Sequence, residues 1–231
     1  MTLSAAPVGQ RLCHTGGTLL RYARCVFYAR EGPRLACERK QKPCTLHRRY
    51  AVIDVETTGF NPQVDRVVEM ACAIVDGGRI VSTWSSLVNP RCPIPARVSR
   101  VHGIEDRHVI DAPPFELAVR DLLAHCANAI PVAHNASFDR KFLEPLQRRP
   151  WLCTVALARR AFPEAPTHGN QKLRAYLGID AQLDRRIVAH RALDDAIVTA
   201  HILMRCLERE SRKRASRRRE PYEMSFGEQF A

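Results

Sequence analysis

AVIDVETTGF, residues 51–60, begins as a strand and ends in two acids. Ala51, Val52 and Ile53 form an apolar run of the kind that is buried in a sheet. Asp54 and Glu56 follow with Val55 between them, and Thr57, Thr58 and Gly59 close the run in a turn. Side chains alternate along a strand, so Asp54 and Glu56 point to one side and Val55 to the other. Two like charges brought together in a partly dry site either share a proton or are held ionised by something positive. Hard divalent cations with oxygen ligands do this well. The alternative, a surface strand with two solvated acids, fits poorly with the apolar run before them. The first reading requires more carboxylates farther along the chain.

The patterning around this stretch is α/β. VVEMACAIVDGG and RIVSTWSSLVNP are β-rich runs joined at Gly77-Gly78, a hairpin turn that makes an antiparallel meander of three strands. PPFELAVRDLLAHC has helical spacing through Phe115, Leu117, Val119, Leu122 and Leu123. AIPVAH is a short buried strand whose Pro131 favours an edge or strand-start position. SFDRKFLEPL is a helix capped by Ser137 and kinked or ended near Pro145, and WLCTVALARRAF suits either strand or helix. NQKLRAYLGI is a helix stopped at Gly178, and RALDDAIVTAHILMRCLE is a long amphipathic helix.

The further carboxylates lie in two places. In PVAHNASFDRKFL, Asp139 follows a strand and a small-residue turn, on the first turn of a helix, where a strand end delivers it to a cleft; a helix-start acid favoured by the dipole has the same appearance. In AHRALDDAIVTA, His190 stands just before a helix that carries Asp194 and Asp195. These two acids lie ~100° apart around the helix, so only one of them faces a given cleft.

Taken together, DVETTG, HNASFD and HRALDDA resemble the motifs of the DEDDh 3′–5′ exonuclease superfamily. VHGI (101–104) and QKLRAYLGI extend the likeness over about residues 49–207. Among its members the chain is most similar to the proofreading epsilon subunit of bacterial DNA polymerase III and its stand-alone relatives. The resemblance implies a ribonuclease-H-like fold, a mixed five-stranded sheet flanked by helices. It places the family's last acid five residues after the histidine, which is Asp195. It also implies two Mg2+ or Mn2+ ions held by Asp54, Glu56, Asp139 and Asp195, with His190 as the base that takes the proton of the attacking water. Imidazole as a residue type titrates near neutrality and suits that task. Thr57 and Thr58 would lie by the terminal nucleotide, with main-chain groups near the 3′-OH, and His102 would contact the terminal phosphate or sugar. Asn135 and Phe138 are equally turn and core residues.

The charge of +12 becomes informative once it is located. Residues 1–49 carry ten Lys/Arg against two acids, residues 205–231 eight against five, and residues 50–204 eighteen against seventeen. A near-neutral domain (49–208) between a basic N-terminal extension (1–48) and a basic C-terminal tail (209–231) suggests a polyanion gripped by the flanks. The run RKRASRRR, 212–219, has six basic residues in eight; it is either a nucleic-acid contact or a solubilising tail. The expected partner is a DNA 3′ end, single-stranded by preference. RNA trimming on the same fold and a non-catalytic nucleic-acid-binding module are the competing readings. No clamp- or polymerase-binding segment is evident, which favours a stand-alone trimming or repair nuclease over a replicase subunit. Nine cysteines, an odd count, suit reduced thiols in the cytoplasm better than a disulfide framework. Cys25, Cys37, Cys44 and His47 lack the two tight pairs of a usual zinc site. No apolar run approaches the ~18–20 residues that cross a membrane.

Overall fold

The computed structural model describes residues 48–183 and 186–219. Residues 1–47, which hold Cys25, Cys37, Cys44 and His47 and all but the last residue of the basic N-terminal extension, and residues 184–185 and 220–231 lie outside the described residues. Strand β1 (Tyr50–Thr57) is the middle of a five-stranded mixed sheet with β2 (Val67–Asp76), β3 (Arg79–Leu87), β4 (Ile130–Ala133) and β5 (Leu152–Cys153), in the order β3-β2-β1-β4-β5. The first three strands form the expected antiparallel meander. β4 runs parallel to β1, and β5 runs parallel to β4. The β2–β3 turn is at Gly77 and Gly78, both at positive φ, where a side chain would be strained.

The helices are α1 (Ala96–His102), α2 (Asp106–Val109), α3 (Phe115–His125), α4 (Ala136–Phe142), α5 (Thr154–Ala161), α6 (Asn170–Tyr176) and α7 (Ala192–Arg219). They divide between the two faces of the sheet. Ala51, Ile53 and Val55 of β1 pack with Leu122 of α3 and Phe142 of α4, whereas Tyr50 and Val52 pack with α5, α6 and the apolar stripe of α7. Strand alternation therefore sends Asp54 and Glu56 to the α7 side and Val55 to the α3 side, as the opening stretch implied.

Local expectations met the chain's geometry in different ways. WLCTVALARRAF is both a strand and a helix: two residues of β5 turn directly into α5. Pro131 is the second residue of β4, a strand start as expected, but β4 is an interior strand. The β1–β4 ladder covers only three residue pairs, so the missing N–H costs little there. Ser137 is not the cap of α4. Asn135 takes that position at φ 66°, with its side chain accepting from the Ser137 hydroxyl, and α4 ends at Phe142 before Pro145. α7 does not stop at residue 208 but continues through 209–219, about 42 Å in all at 1.5 Å per residue.

Leu122 is fully buried between α3 and the sheet. Leu122→Ala is expected to lower the unfolding free energy by ~2–5 kcal/mol, read by chemical denaturation. A loss below about 1 kcal/mol would mean that this face of the sheet is not a packed core.

Candidate active site

Asp54 and Glu56 leave the C-terminal end of β1 on the α7 side. α7 begins opposite them, so Asp195, on its first turn, faces the same point: oxygens of Asp54, Glu56 and Asp195 all lie within 4.8 Å of one another. Asp194, about 100° around the helix, turns away, and its Oδ2 accepts the Val188 N–H at 2.7 Å. Asp139 sits on the first turn of α4, buried, with Oδ1 accepting the Val55 N–H at 3.2 Å. It stands beside the trio rather than inside it.

The electrostatics follow from this crowding. Burial, then the neighbouring Asp139, Glu56 and Asp195, push Asp54 well above the usual carboxylate range. Burial followed by Asp195, Glu69 and Asp139 pushes Glu56 up to about 8. Asp139 is pushed up to about 7 by burial, against the pull of the Val55 N–H, and burial also raises Asp195. A set of buried oxygens that repel one another and sit within reach of a common point is the donor set of a hard divalent cation. The residues therefore fit the metal that the sequence implied.

Several residues hold this arrangement in place, and pattern reading had not found them. Glu69, directly opposite Glu56 in the β1–β2 ladder, is another buried acid on the same face. It takes a two-pronged ion pair from Arg191, at 3.1 and 2.7 Å, and accepts the Ala192 N–H at 2.9 Å. The pair anchors the start of α7 to the sheet and offsets one negative charge of the cluster. Gln171, at the start of α6, donates to Asp195 Oδ1 and is itself held by Arg174, which is paired with Asp180. Asn170 donates to the Thr199 hydroxyl at 2.7 Å. Asp195 is thus fixed from α6 and by the His190 N–H on its Oδ2 at 3.1 Å.

His190 is exposed at the lip of the cluster, with φ 60°. A non-glycine residue in that region costs on the order of 1 kcal/mol, which the bond from its N–H to Asp195 helps offset. His102, the last residue of α1, is 4% exposed. Its Nδ1 accepts the Ile104 N–H at 3.0 Å, so the proton is assigned to Nε2. Nε2 has no hydrogen-bond partner, although the Thr57 main chain is near, and it is the one orphaned buried side-chain polar atom among the described residues. The Thr57 hydroxyl donates to the Gly59 carbonyl, and the Thr58 hydroxyl bonds to Asp65 and accepts the Arg66 N–H. Both hydroxyls are engaged inside the loop, leaving only main-chain groups of this segment for a ligand. A Cβ at Gly59 would land on the Asp65 carboxylate, so a larger residue there would displace Asp65 from the Asn61 N–H that it accepts at 2.8 Å. Next to it Phe60 is 78% exposed and meets Phe138 edge-on, with ring centres 6.1 Å apart.

The exonuclease family model matches residues 51–203, and the chain belongs to that family. It is 31% identical over 177 residues to the DNA polymerase III subunit epsilon of Aquifex aeolicus, covering 73% of this chain and 85% of that one. It is 33% identical over 171 residues to the PolC-type DNA polymerase III of Thermotoga maritima, covering 69% of this chain but 12% of that much longer one. Among solved structures, Exonuclease X in complex with 5′-overhanging duplex DNA is 34% identical, with a TM-score of 0.60 over 71% of this chain and 92% of that one. The nuclease domain of 3′hExo, a DEDDh family member bound to rAMP, shares the fold at 18% identity and a TM-score of 0.58, covering 71% of this chain and 94% of that one.

The raised acids give a stability prediction for the ion-free protein. Glu56 binds its proton up to about pH 8 when folded, against an ordinary value of 4.5. Its contribution is fully present below the unfolded value and is lost as pH rises through the folded one. His102, His134 and His201, which burial keeps neutral, act in the opposite sense at lower pH. Between about pH 6.5 and 8, in EDTA, Tm is expected to fall and then to level off, and Glu56→Gln should flatten the fall by removing the charge. A Tm that is flat in the wild type would show that the fold does not hold these acids protonated, and an equal fall in both would take Glu56 out of the effect.

Proposed function

We propose that the chain is a metal-dependent 3′–5′ exonuclease that removes nucleotides from DNA 3′ ends, single-stranded by preference. The observation that carries this reading is the convergence of Asp54, Glu56 and Asp195 within 4.8 Å at the end of β1. The names of its relatives, two DNA polymerase III proteins and an exonuclease solved on overhanging duplex DNA, favour DNA over RNA. The catalytic domain is residues 49–208, the basic flanks 1–48 and 209–231 add affinity for the polyanion, and the enzyme works in the cytoplasm, where the described cysteines, all free, stay reduced.

Asp54, Glu56 and Asp195 would hold one Mg2+ or Mn2+, and Asp139 with Asp54 a second. When bound, the ions neutralise phosphoryl charge and make water more acidic. The chain's own residues do the rest. His190, exposed and tethered through its main chain, has a ring free to take the proton of the attacking water. The Nε2–H of His102, without a partner in the fold, donates to an oxygen of the terminal nucleotide. Main-chain groups of Thr57 and Thr58 flank the 3′-OH, and Phe60 offers the last base an exposed face on which to stack.

Incubation of end-labelled DNA and RNA oligonucleotides with Mg2+, Mn2+ or EDTA tests the reading: stepwise shortening of DNA from the 3′ end is expected only with metal. Asp54→Ala is expected to leave no measurable cleavage. His190→Ala should lose roughly 10²–10⁴ in rate, with partial recovery at raised pH as hydroxide substitutes for the base. RNA shortened faster than DNA would move the substrate class. Activity above a few per cent in Asp54→Ala would sink the metal reading.

A further inference from the structure

The extension of α7 past residue 208 forms one wall of a second concavity, away from the acids. A groove of about 860 Å³ lies between α7 and the ends of α5 and α6. Its α7 wall carries Arg205, Arg209, Arg212 and Lys213 together with Glu208, which pairs with Arg205 at 3.8 Å, and its opposite wall carries Tyr176 and Leu177. Two more of the cations are fixed by neighbours outside α7. The Arg209 guanidinium lies 4.7 Å over the Phe162 ring and pairs with Glu164, and Lys213 donates to the Arg160 carbonyl at 3.0 Å. The four cations follow one another closely along one face of a helix, where like charges repel. A fold that sets cations side by side and holds two of them in place loses little side-chain entropy when an anion arrives. Tyr176, 44% exposed, presents an aromatic surface across from them.

We propose that this groove is a second binding site for single-stranded nucleic acid, with phosphates on the α7 cations and a base stacked on Tyr176. A row of cations facing an aromatic surface is what a strand needs and what a compact anion does not. The proposal rests on the exonuclease reading, because it makes the groove a hold on the upstream part of the same strand. α6 and α7 share their starting point at the acids, where Gln171 meets Asp195. Arg205 and Ser216 lie ten and twenty-one residues farther along α7, about 15 and 32 Å from Asp195. At the ~3.4 Å spacing of stacked nucleotides, this is about five to nine nucleotides from the cleavage point. The groove therefore distinguishes long strands from short ones and leaves the chemistry untouched.

The test compares the full chain with Arg212→Gln/Lys213→Gln and with Tyr176→Ala on oligodeoxythymidylates of about four and about twenty nucleotides, lengths that fall short of and pass the groove at that spacing. KM on the long strand is expected to rise roughly five- to tenfold in each variant, with kcat unchanged and with KM on the short strand unchanged. The salt slope of log KM should flatten by about 0.7 for each phosphate no longer neutralised, and only in the charge variant. Unchanged KM and slope on the long strand would overturn the proposal, as would an equal rise on both lengths, which signals a damaged active site. Anisotropy of the labelled long strand in EDTA tests the groove without catalysis: weaker binding by the variants supports it, and equal binding overturns it. A wild type that binds through the groove but cleaves neither length would sink the exonuclease reading alone. Displacement of the strand by oligoglutamate at equal charge, with no effect of Tyr176→Ala, would overturn the nucleic-acid assignment and give the groove to an acidic protein instead.

Discussion

Repulsion among carboxylates on one face of the sheet is the constraint around which this molecule is arranged. Asp54, Glu56 and Glu69 project from adjacent strands toward α7, and Asp195 comes down from the helix to meet them. A buried cluster of that kind either takes up protons or is met by positive charge. The protein answers part of it with Arg191, whose guanidinium grips Glu69 and thereby seats the first turn of α7. The remainder is left for an ion. The same bond that offsets a charge therefore determines where Asp195 and His190 stand.

Rigidity is distributed unevenly around this point. Asp195 is held from three directions, by Gln171, by the His190 N–H and by the seat of its helix, and Asp139 is tied to the β1 main chain. By contrast, the His190 ring, the Phe60 ring and the His102 Nε2 face outward or stand unpartnered. Fixed acids with uncommitted rings at the rim and an unsatisfied buried donor are what a site needs if its ligands hold an ion and its edge meets a substrate.

Much of this was legible in the chain because the decisive signals are local. Period-two alternation alone puts Asp54 and Glu56 together, and the Gly77-Gly78 turn alone makes the meander. Asp195 over Asp194 needed the family likeness, since a 100° rotation on a helix does not say which side faces the sheet. The Glu69–Arg191 pair spans 122 residues and leaves no spacing to read. One signal existed: an acid inside the apolar run VVEMACAIVD demands a buried partner, and Arg191 lies within the histidine motif. Gln171 was passed over because a polar residue opening an amphipathic helix has the appearance of solvent-facing surface. The helical state of residues 209–219 was hidden by their charge, which reads as a tail until Phe162, Glu164 and the α5 carbonyls are seen to receive it.

Whether a divalent cation keeps the crowded acids ionised is tested most directly by calorimetric titration of the full chain with Mn2+ near pH 7, repeated in two buffers of different ionisation heat. Acids held partly protonated by burial must release protons when the ion arrives. The predicted result is a buffer-dependent binding heat corresponding to net proton release, affinity that tightens as pH rises, and loss of binding in Asp54→Asn. Binding with no proton release, or with unchanged affinity in Asp54→Asn, would contradict it.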